Sequence, residues 1–344
     1  MKFILDANNI TIPDEFSEMS DFYIPVEEPE NSILFPGTIQ IEEKPEFLEI
    51  ITLMNKKAQD YDGLEFSMDI VKHGDRHIFR GHSIQSVQGK IFIFRRLPSF
   101  IPSIEEIGMP KGIVELLSHK RLNHGGLVII AGETGQGKST TAAATIAYRM
   151  QKFGSFCLTI ENPVEMPLQG FYPSETDENQ QGVCFQTDVK DEDILEAIKS
   201  SLRCYPSVSN SILFLGETRD ANMAAEVLTI AANGHLVITT MHGSDLITSL
   251  KRFLSLAVSS GKNSPEEVYS IFSSVFRLMI HQRMEKTQKG EKRIRPVILF
   301  SKDASSIVSS RIKSNKIELL TTEILEQNKA VLSGRPIDNW FSNY

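Results

Sequence analysis

Gly132-Glu133-Thr134-Gly135-Gln136-Gly137-Lys138-Ser139 is a complete G-x-x-x-x-G-K-[ST] loop, and it sits where that motif must sit, between a strand and a helix. Before it, Leu127–Ala131 is a short, continuously apolar run, the pattern of a strand buried on both faces. After it, T-A-A-A-T-I-A-Y-R-M reads as an alanine-rich helix. The glycines let backbone N–H groups turn inward around phosphate oxygens, and the helix N-terminus adds the positive end of its dipole. Lys138 is placed to reach the β- and γ-phosphates of a nucleotide, and the Ser139 hydroxyl to ligate Mg²⁺. The candidate nucleotide-binding residues are Gly132, Glu133, Thr134, Gly135, Gln136, Gly137, Lys138, Ser139 and Thr140.

Working outward, F-C-L-T-I, I-L-F-L and H-L-V-I-T-T are further apolar runs separated by helix-length segments. Strands alternating with helices mean an α/β domain with a largely parallel sheet. In S-I-L-F-L-G-E-T-R-D, residues 211–220, an apolar strand delivers Glu217 to the C-terminal edge of that sheet, where a general base for an attacking water belongs. Gly216 stands where an aspartate is usual, so metal binding there leans on Ser139, the nucleotide and water. From about Ser244 the pattern is mostly helical, with helices expected over 250–259 and 265–283, a last strand P-V-I-L-F and a helical tail.

Upstream, a helix is expected from about Pro45 to Asp60 and strands over 64–96, a small α+β domain at 46–98. Residues 1–45 hold Pro13, Pro25, Pro29 and Pro36 and read as an irregular acidic arm. Pro98, Pro102 and Pro110 punctuate a linker at 99–111, and residues 112–344 form the nucleotide-binding domain, helical from about 244.

A chain of 344 residues that is 41% hydrophobic and 23% charged can bury large cores, which excludes wholesale disorder. The three cysteines (Cys157, Cys184, Cys204) fit neither a disulfide framework nor a four-cysteine zinc site, and point to a reducing compartment. The apolar run after Met1 stops at Asp6, too short for a signal peptide, and no stretch approaches a membrane span, so a cytoplasmic protein is expected. Residues 1–50 carry a net charge of −10 and the other 294 sum to +2, which argues against a nucleic-acid protein driven by bulk charge. Arg283 to Arg295 is locally +4 and reads as an exposed loop. His73, His77 and His82 lie on alternating strands and do not converge on a metal.

Four boxes in order carry a resemblance: G-E-T-G-Q-G-K-S-T-T, L-T-I-E-N-P-V-E, L-F-L-G-E-T-R-D and N-G-H-L-V-I-T-T-M-H. Together with I-F-R-G-H upstream and the segment F-R-R-L-P-S-F-I-P-S-I-E-E-I-G-M-P, they resemble the secretion-superfamily ATPases of type IV pili, type II secretion and type IV secretion, from about Asp62 to Phe300. The nearest subgroups are the PilT-like pilus-retraction motors and the DotB-like ATPases of type IVB secretion and conjugation. The resemblance implies a RecA-like P-loop core with a small PAS-like N-terminal domain. It implies ATP and Mg²⁺ as ligands, a homo-hexamer, and a partner in an inner-membrane pilus or secretion platform, with no nucleic acid.

Carried over by position, Glu161 and Glu165 fall in the aspartate box near metal and water, and Glu217 at the catalytic Walker B glutamate. His235 and His242 fall in the histidine box, thought to sense the γ-phosphate. They are seven apart, so both can serve one site only if His242 lies beyond the strand end. Arg80 and Arg95 match arginines that reach the neighbouring subunit's nucleotide, with Arg96 an equally basic neighbour, and Gln282 and Arg283 match a Q-R pair in the C-terminal helical region. Three features depart from the pattern: Asn162 for an aspartate, R-C-Y-P-S-V-S-N-S before the Walker B strand, and an insertion around Glu175–Gln181. Asn162 and the altered turn leave room for a ring that binds ATP without useful turnover.

Overall fold

The computed structural model describes residues 2–174, 181–206, 210–286 and 292–333. The chain divides into two compact units, residues 1–100 and 101–344.

In the first unit, seven strands form one sheet in the order β1-β5-β6-β7-β2-β3-β4. They are β1 (Lys2–Asp6), β2 (Asp21–Pro25), β3 (Ile33–Phe35), β4 (Ile39–Gln40), β5 (Glu65–Lys72), β6 (Asp75–Ser86) and β7 (Gly89–Leu97). Only β1 and β5 run parallel. Helix α1 (Leu48–Gln59) buries Ile50, Ile51, Met54 and Ala58, the three-and-four spacing of a helix lying on a sheet. Phe16, Phe22, Phe47, Phe66, Phe79, Phe92 and Phe94 fill the space between them.

The expected acidic arm at 1–45 is therefore corrected: those residues supply β1 to β4, and Phe3, Leu5, Phe22, Ile24 and Leu34 are core. Strand β1 alternates Phe3 and Leu5 inward with charged or exposed residues outward, so one buried face needs only two apolar residues. Such short alternation is masked by the acids and prolines around it.

In the second unit, eight strands run β10-β11-β9-β12-β13-β8-β14-β15. They are β8 (Gly126–Gly132), β9 (Phe156–Glu161), β10 (Gly170–Pro173), β11 (Gln181–Asp188), β12 (Ser211–Leu215), β13 (Leu236–His242), β14 (Phe276–Lys286) and β15 (Lys292–Phe300). The inner strands are parallel, and only the edge strands β10 and β15 run antiparallel to their neighbours. Strand β8 is buried along its whole length. Its side chains divide by parity: Leu127, Ile129 and Ala131 join one core, Val128 and Ile130 the other.

Helices cover both faces, the α/β architecture expected. One core takes in Ala142, Ala143, Ile146 and Met150 of α3 (Lys138–Phe153) and Ile113 and Leu117 of α2 (Lys111–Leu117). The other is roofed by α4 (Ile194–Ser201), α5 (Ala221–Ala232), α6 (Leu246–Ser259), α7 (Pro265–Val275) and α8 (Ile307–Lys313). Helix α9 (Leu320–Leu332) sends Leu320 and Ile324 to one core and Val331 to the other.

Two further expectations are corrected. The helix over 265–283 ends at Val275, and Phe276 begins β14, which pairs with β8. The run F-R-L-M-I suits a buried strand or a buried helix equally by periodicity, and pairing beside β8 decides it. Within the basic stretch Arg283 to Arg295, where a loop is expected, residues 283–286 lie in β14 and 292–295 in β15, with Arg283 opposite Arg295, and residues 287–291 lie outside the described residues. The linker expected at 99–111 is short, because Ile104 and Met109 already pack in a core of the second unit. The insertion around 175–180 and residues 207–209 of the altered turn lie outside the described residues.

Candidate active site

The phosphate loop leaves β8 at its C-terminal end. Gly132 has φ +156, and a Cβ there would lie 2.6 Å from the Gln282 carbonyl oxygen, so only glycine fits. Gly135 and Gly137 both hold φ +76, in the left-handed region. Helix α3 then starts at Lys138 and aims its first N–H groups at the loop interior. Lys138 Nζ donates to the Glu133 carbonyl at 2.8 Å. Burial lowers its pKa, against the raising pull of Glu217 and Glu165, which places all three groups in one electrostatic neighbourhood. The Ser139 hydroxyl donates to the Glu165 carboxylate, and Thr140 is half-buried one residue further along the helix. A hydroxyl and a carboxylate in contact beside the phosphate loop are hard oxygen donors, a set that suits Mg²⁺.

Glu161 ends β9 and Glu217 lies two residues past β12, so adjacent parallel strands bring both acids to the same edge as the loop. Gly216 pairs alongside Glu161, and a Cβ on it would lie 3.2 Å from Glu161 Cγ. An aspartate at 216 would press on Glu161. The absent aspartate and the buried Glu161 are thus two sides of one packing arrangement.

Glu161 is 3% exposed, and burial raises its pKa to about 7, opposed by hydrogen bonds from Gln186 and Thr159. Gln186 Nε2 donates to Glu161 Oε1 (2.8 Å) and to the Met166 carbonyl (2.7 Å). Gln186 Oε1 accepts from Leu168 N (3.0 Å) and Gln169 N (3.2 Å). One amide side chain on β11 therefore holds Glu161 and the turn behind it. Sequence reading missed Gln186, because nothing near it in the chain marks β11 as the neighbour of β9.

Glu217 is held by its flanks. Thr240 Oγ1 donates to the Gly216 carbonyl (2.6 Å) and Thr218 N to the Thr240 carbonyl (2.8 Å). His242, the last residue of β13, places Nε2 3.2 Å from Glu217 Oε1. His242 thus lies within β13 as its last residue, and not beyond the strand end.

His235 does not join it. It precedes β13 at the opposite edge of the sheet, where its Nδ1 meets Ser211 Oγ at 2.6 Å and its ring lies tilted against Tyr205 with centroids 4.5 Å apart. Seven strand residues at ~3.3 Å each put it about 20 Å from His242. The expectation that His235 serves the phosphate site within its own subunit is corrected.

In the first unit, Arg80 and Arg95 lie directly opposite each other on β6 and β7. Arg80 pairs with Glu65 at 3.0 Å and Arg95 with Asp21 at 2.8 Å. Arg96 has the other parity. Its guanidinium sits 4.7 Å and 4.6 Å from the rings of Phe16 and Phe79 and donates to the carbonyls of Met19 and Phe16. Arg96 is half-buried on the face of β7 that packs on Phe16 and Phe79, so of the three arginines only Arg80 and Arg95 lie on the outer face. Among the described residues no group of three or more His, Cys, Asp or Glu could hold a metal.

The sequence profile described as "Type II/IV secretion system protein" matches residues 65–329. The chain is 29% identical over 254 residues, 73% of its own length, to the "Twitching motility protein" of Neisseria gonorrhoeae. It is 30% identical over 214 residues, 62% of its length, to the "Type IV pilus retractation ATPase PilT" of Pseudomonas aeruginosa. The matched regions span 62% and 56% of those relatives. Among solved structures, that of the pilus retraction motor PilT with bound ADP superposes with a TM-score of 0.69 at 23% identity, covering 89% of this chain and 85% of that one. The Legionella pneumophila ATPase DotB gives 0.61 at 18%, covering 88% and 84%. These two likenesses concern the fold. With a family profile matched over most of its length and four ordered motifs placed on one sheet, the chain belongs to the type II/IV secretion system protein family.

Proposed function

We propose that this chain is an ATP hydrolase working as a homo-hexameric ring that drives a type IV pilus, in the manner of retraction motors, or a related secretion machine. The observation that carries the reading is convergence: the phosphate loop, Glu217 paired to His242, and buried Glu161 all emerge at one edge of one sheet. The loop amides and Lys138 bind the phosphates of ATP. Glu217 takes the proton of the attacking water, and His242 orients the Glu217 carboxylate through their contact. Glu161 supplies a second carboxylate whose charge depends on pH near neutrality. A magnesium ion held at Ser139 would neutralise charge on the transferring phosphoryl group.

Arg80 and Arg95 are the cations we assign to the next subunit's nucleotide. A trans arginine of this kind is worth ~10³–10⁵ in rate. The two units then move about the short segment Pro98–Phe100. The work is delivered at the inner face of the inner membrane, from the cytoplasm, through a platform protein. The names of the relatives support a pilus machine, and no helix among the described residues is long and apolar enough to cross a membrane. The net charge of −8 favours a protein partner over nucleic acid.

The test is ATP hydrolysis measured while wild-type protein is titrated with Glu217→Gln subunits at constant total concentration. A loss steeper than linear is expected of a coupled ring. A linear loss means independent protomers, and the motor reading falls.

A further inference from the structure

We propose that His281, Gln282 and Arg283 of β14 form a positioning clamp that sets the phosphate loop against the Glu217–His242 pair. The proposal rests on the nucleotide-site reading above and gives its residues a mechanical frame.

The clamp begins with strand order. β14 runs parallel to β8, with His281 opposite Ala131, so Gln282 lies alongside Gly132, where the phosphate loop starts. Gln282 is fully buried. Its Nε2 donates to the Gln136 carbonyl at 2.6 Å, inside the loop. In return the Gln136 side-chain oxygen accepts from Met284 N at 2.5 Å. Gln136 thus accepts twice from β14, at its carbonyl from the Gln282 side chain and at its side chain from the Met284 backbone. The contact is close on both sides: a Cβ on Gly132 would meet the Gln282 carbonyl oxygen at 2.6 Å, and one on Gly137 would meet Gln282 Nε2 at 3.4 Å. The glycines that shape the loop also let it seat on Gln282.

The neighbouring residues face the other way, as strand parity requires. His281 Nε2 lies 3.1 Å from the Gly243 carbonyl, and Arg283 Nη2 donates to the Ser244 carbonyl at 2.7 Å. Gly243 and Ser244 directly follow His242, the partner of Glu217. Gly243 N also reaches the Gly132 carbonyl at 3.4 Å. Three consecutive residues on one rigid strand therefore hold two catalytic loops, one from each face. A displacement of the phosphate loop is transmitted through β14 to the His242 turn. Loss of each half has its own signature: the Gln282 half governs nucleotide affinity, and the Arg283 half governs turnover.

The experiment uses the full-length protein, with titration of a fluorescent ADP analogue and steady-state ATP hydrolysis. Gln282→Met keeps the volume and removes the donor to the Gln136 carbonyl, and Gln136→Ala removes the side-chain acceptor of Met284 N at a less buried position. Both should raise the dissociation constant and KM by about fivefold to tenfold, the effect of one lost hydrogen bond, with kcat changed by less than about twofold. Arg283→Ala should lower kcat by a similar factor at nearly constant KM, and Arg283→Lys, which retains one donor, should recover most of it. If the variants lower kcat and raise KM in equal proportion, or Arg283→Lys fails to recover turnover, the residues are only structural and the clamp is overturned. If Gln282→Met and Gln136→Ala leave affinity unchanged while Lys138→Ala abolishes binding, the clamp falls and the nucleotide site stands. Binding that survives Lys138→Ala overturns both.

Discussion

Glu161 carries the most perturbed carboxyl of the site, and its sign can be worked out. Its pKa in the fold, about 7, is above the ordinary carboxylate value because burial disfavours the charge. Between the unfolded and folded values the native chain binds more protons than the unfolded one, so stability falls as pH rises through that window. The shift corresponds to about 3 kcal/mol at pH 8. Glu161→Gln, which can still accept from Gln186, should therefore stabilise the nucleotide-free protein by about 2–3 kcal/mol at pH 8 and by almost nothing at pH 4.5. Urea denaturation at the two pH values decides it; a gain independent of pH would mean that folding does not raise the Glu161 pKa. Turnover that needs ionised Glu161 should rise through pH 7 in the wild type. For Glu217 the expectation is chemical: Glu217→Gln should keep ATP binding and lose ~10²–10⁴ in hydrolysis. A fully active variant would shift the base to Glu161. At this scale the sequence was legible wherever a position is local: Lys138 and Ser139 open the helix after the glycine loop, and Glu217 lies just past its strand. It was silent on Gln186, whose four partners come from other segments. It could not separate Arg95 from Arg96, which differ only in the face of β7 they occupy.

Elements explain which of those residues can meet. The parallel strands were readable as apolar runs, and their C-terminal ends as the site edge, because burial on both faces leaves no alternation to misread. Strand order was not readable. The neighbours of β8 are β13 and β14, so the phosphate loop is flanked by the His242 turn on one side and Gln282 on the other, from segments about 110 and 150 residues downstream. The same order places β11 beside β9 and brings Gln186 to Glu161. Strand β11 also packs against α3: a Cβ on Gly182 would lie 2.6 Å from Met150 Cβ and 2.7 Å from its carbonyl oxygen. Gly182→Ala must therefore push β11 away from the helix that starts in the phosphate loop. The expected cost is about 1–3 kcal/mol, with a drop in turnover as Gln186 withdraws from Glu161. Denaturation and steady-state kinetics on the same sample test the link. Lost stability with unchanged turnover would show that the site tolerates movement of β11.

Over the whole molecule, the two units each bury their own core, and the segment joining them is short because Ile104 and Met109 pack into the second. Residues 1–45 had looked like an appendage, since acids and prolines dominate their composition. Their short strands, two to five residues long, instead complete the sheet that carries Arg80 and Arg95. That sheet positions the two arginines side by side and turns Arg96 inward, so the first unit presents one paired cationic site on its outer face. If the pair serves the nucleotide of a neighbouring copy, the defects of two inactive proteins should complement. An Arg80→Ala/Arg95→Ala double variant should bind ATP but turn over ~10³-fold more slowly. Glu217→Gln subunits should be inactive through a different residue. In a mixed ring, the intact Glu217 of the first variant can face the intact arginines of the second. At equal mixing, about one interface in four would then be complete. Hydrolysis above the sum of the two separate proteins is the expected result. A mixture no more active than its parts would mean that the arginines act within their own chain, or only brace their sheet through Glu65 and Asp21, and their assignment to the next subunit's nucleotide would fall.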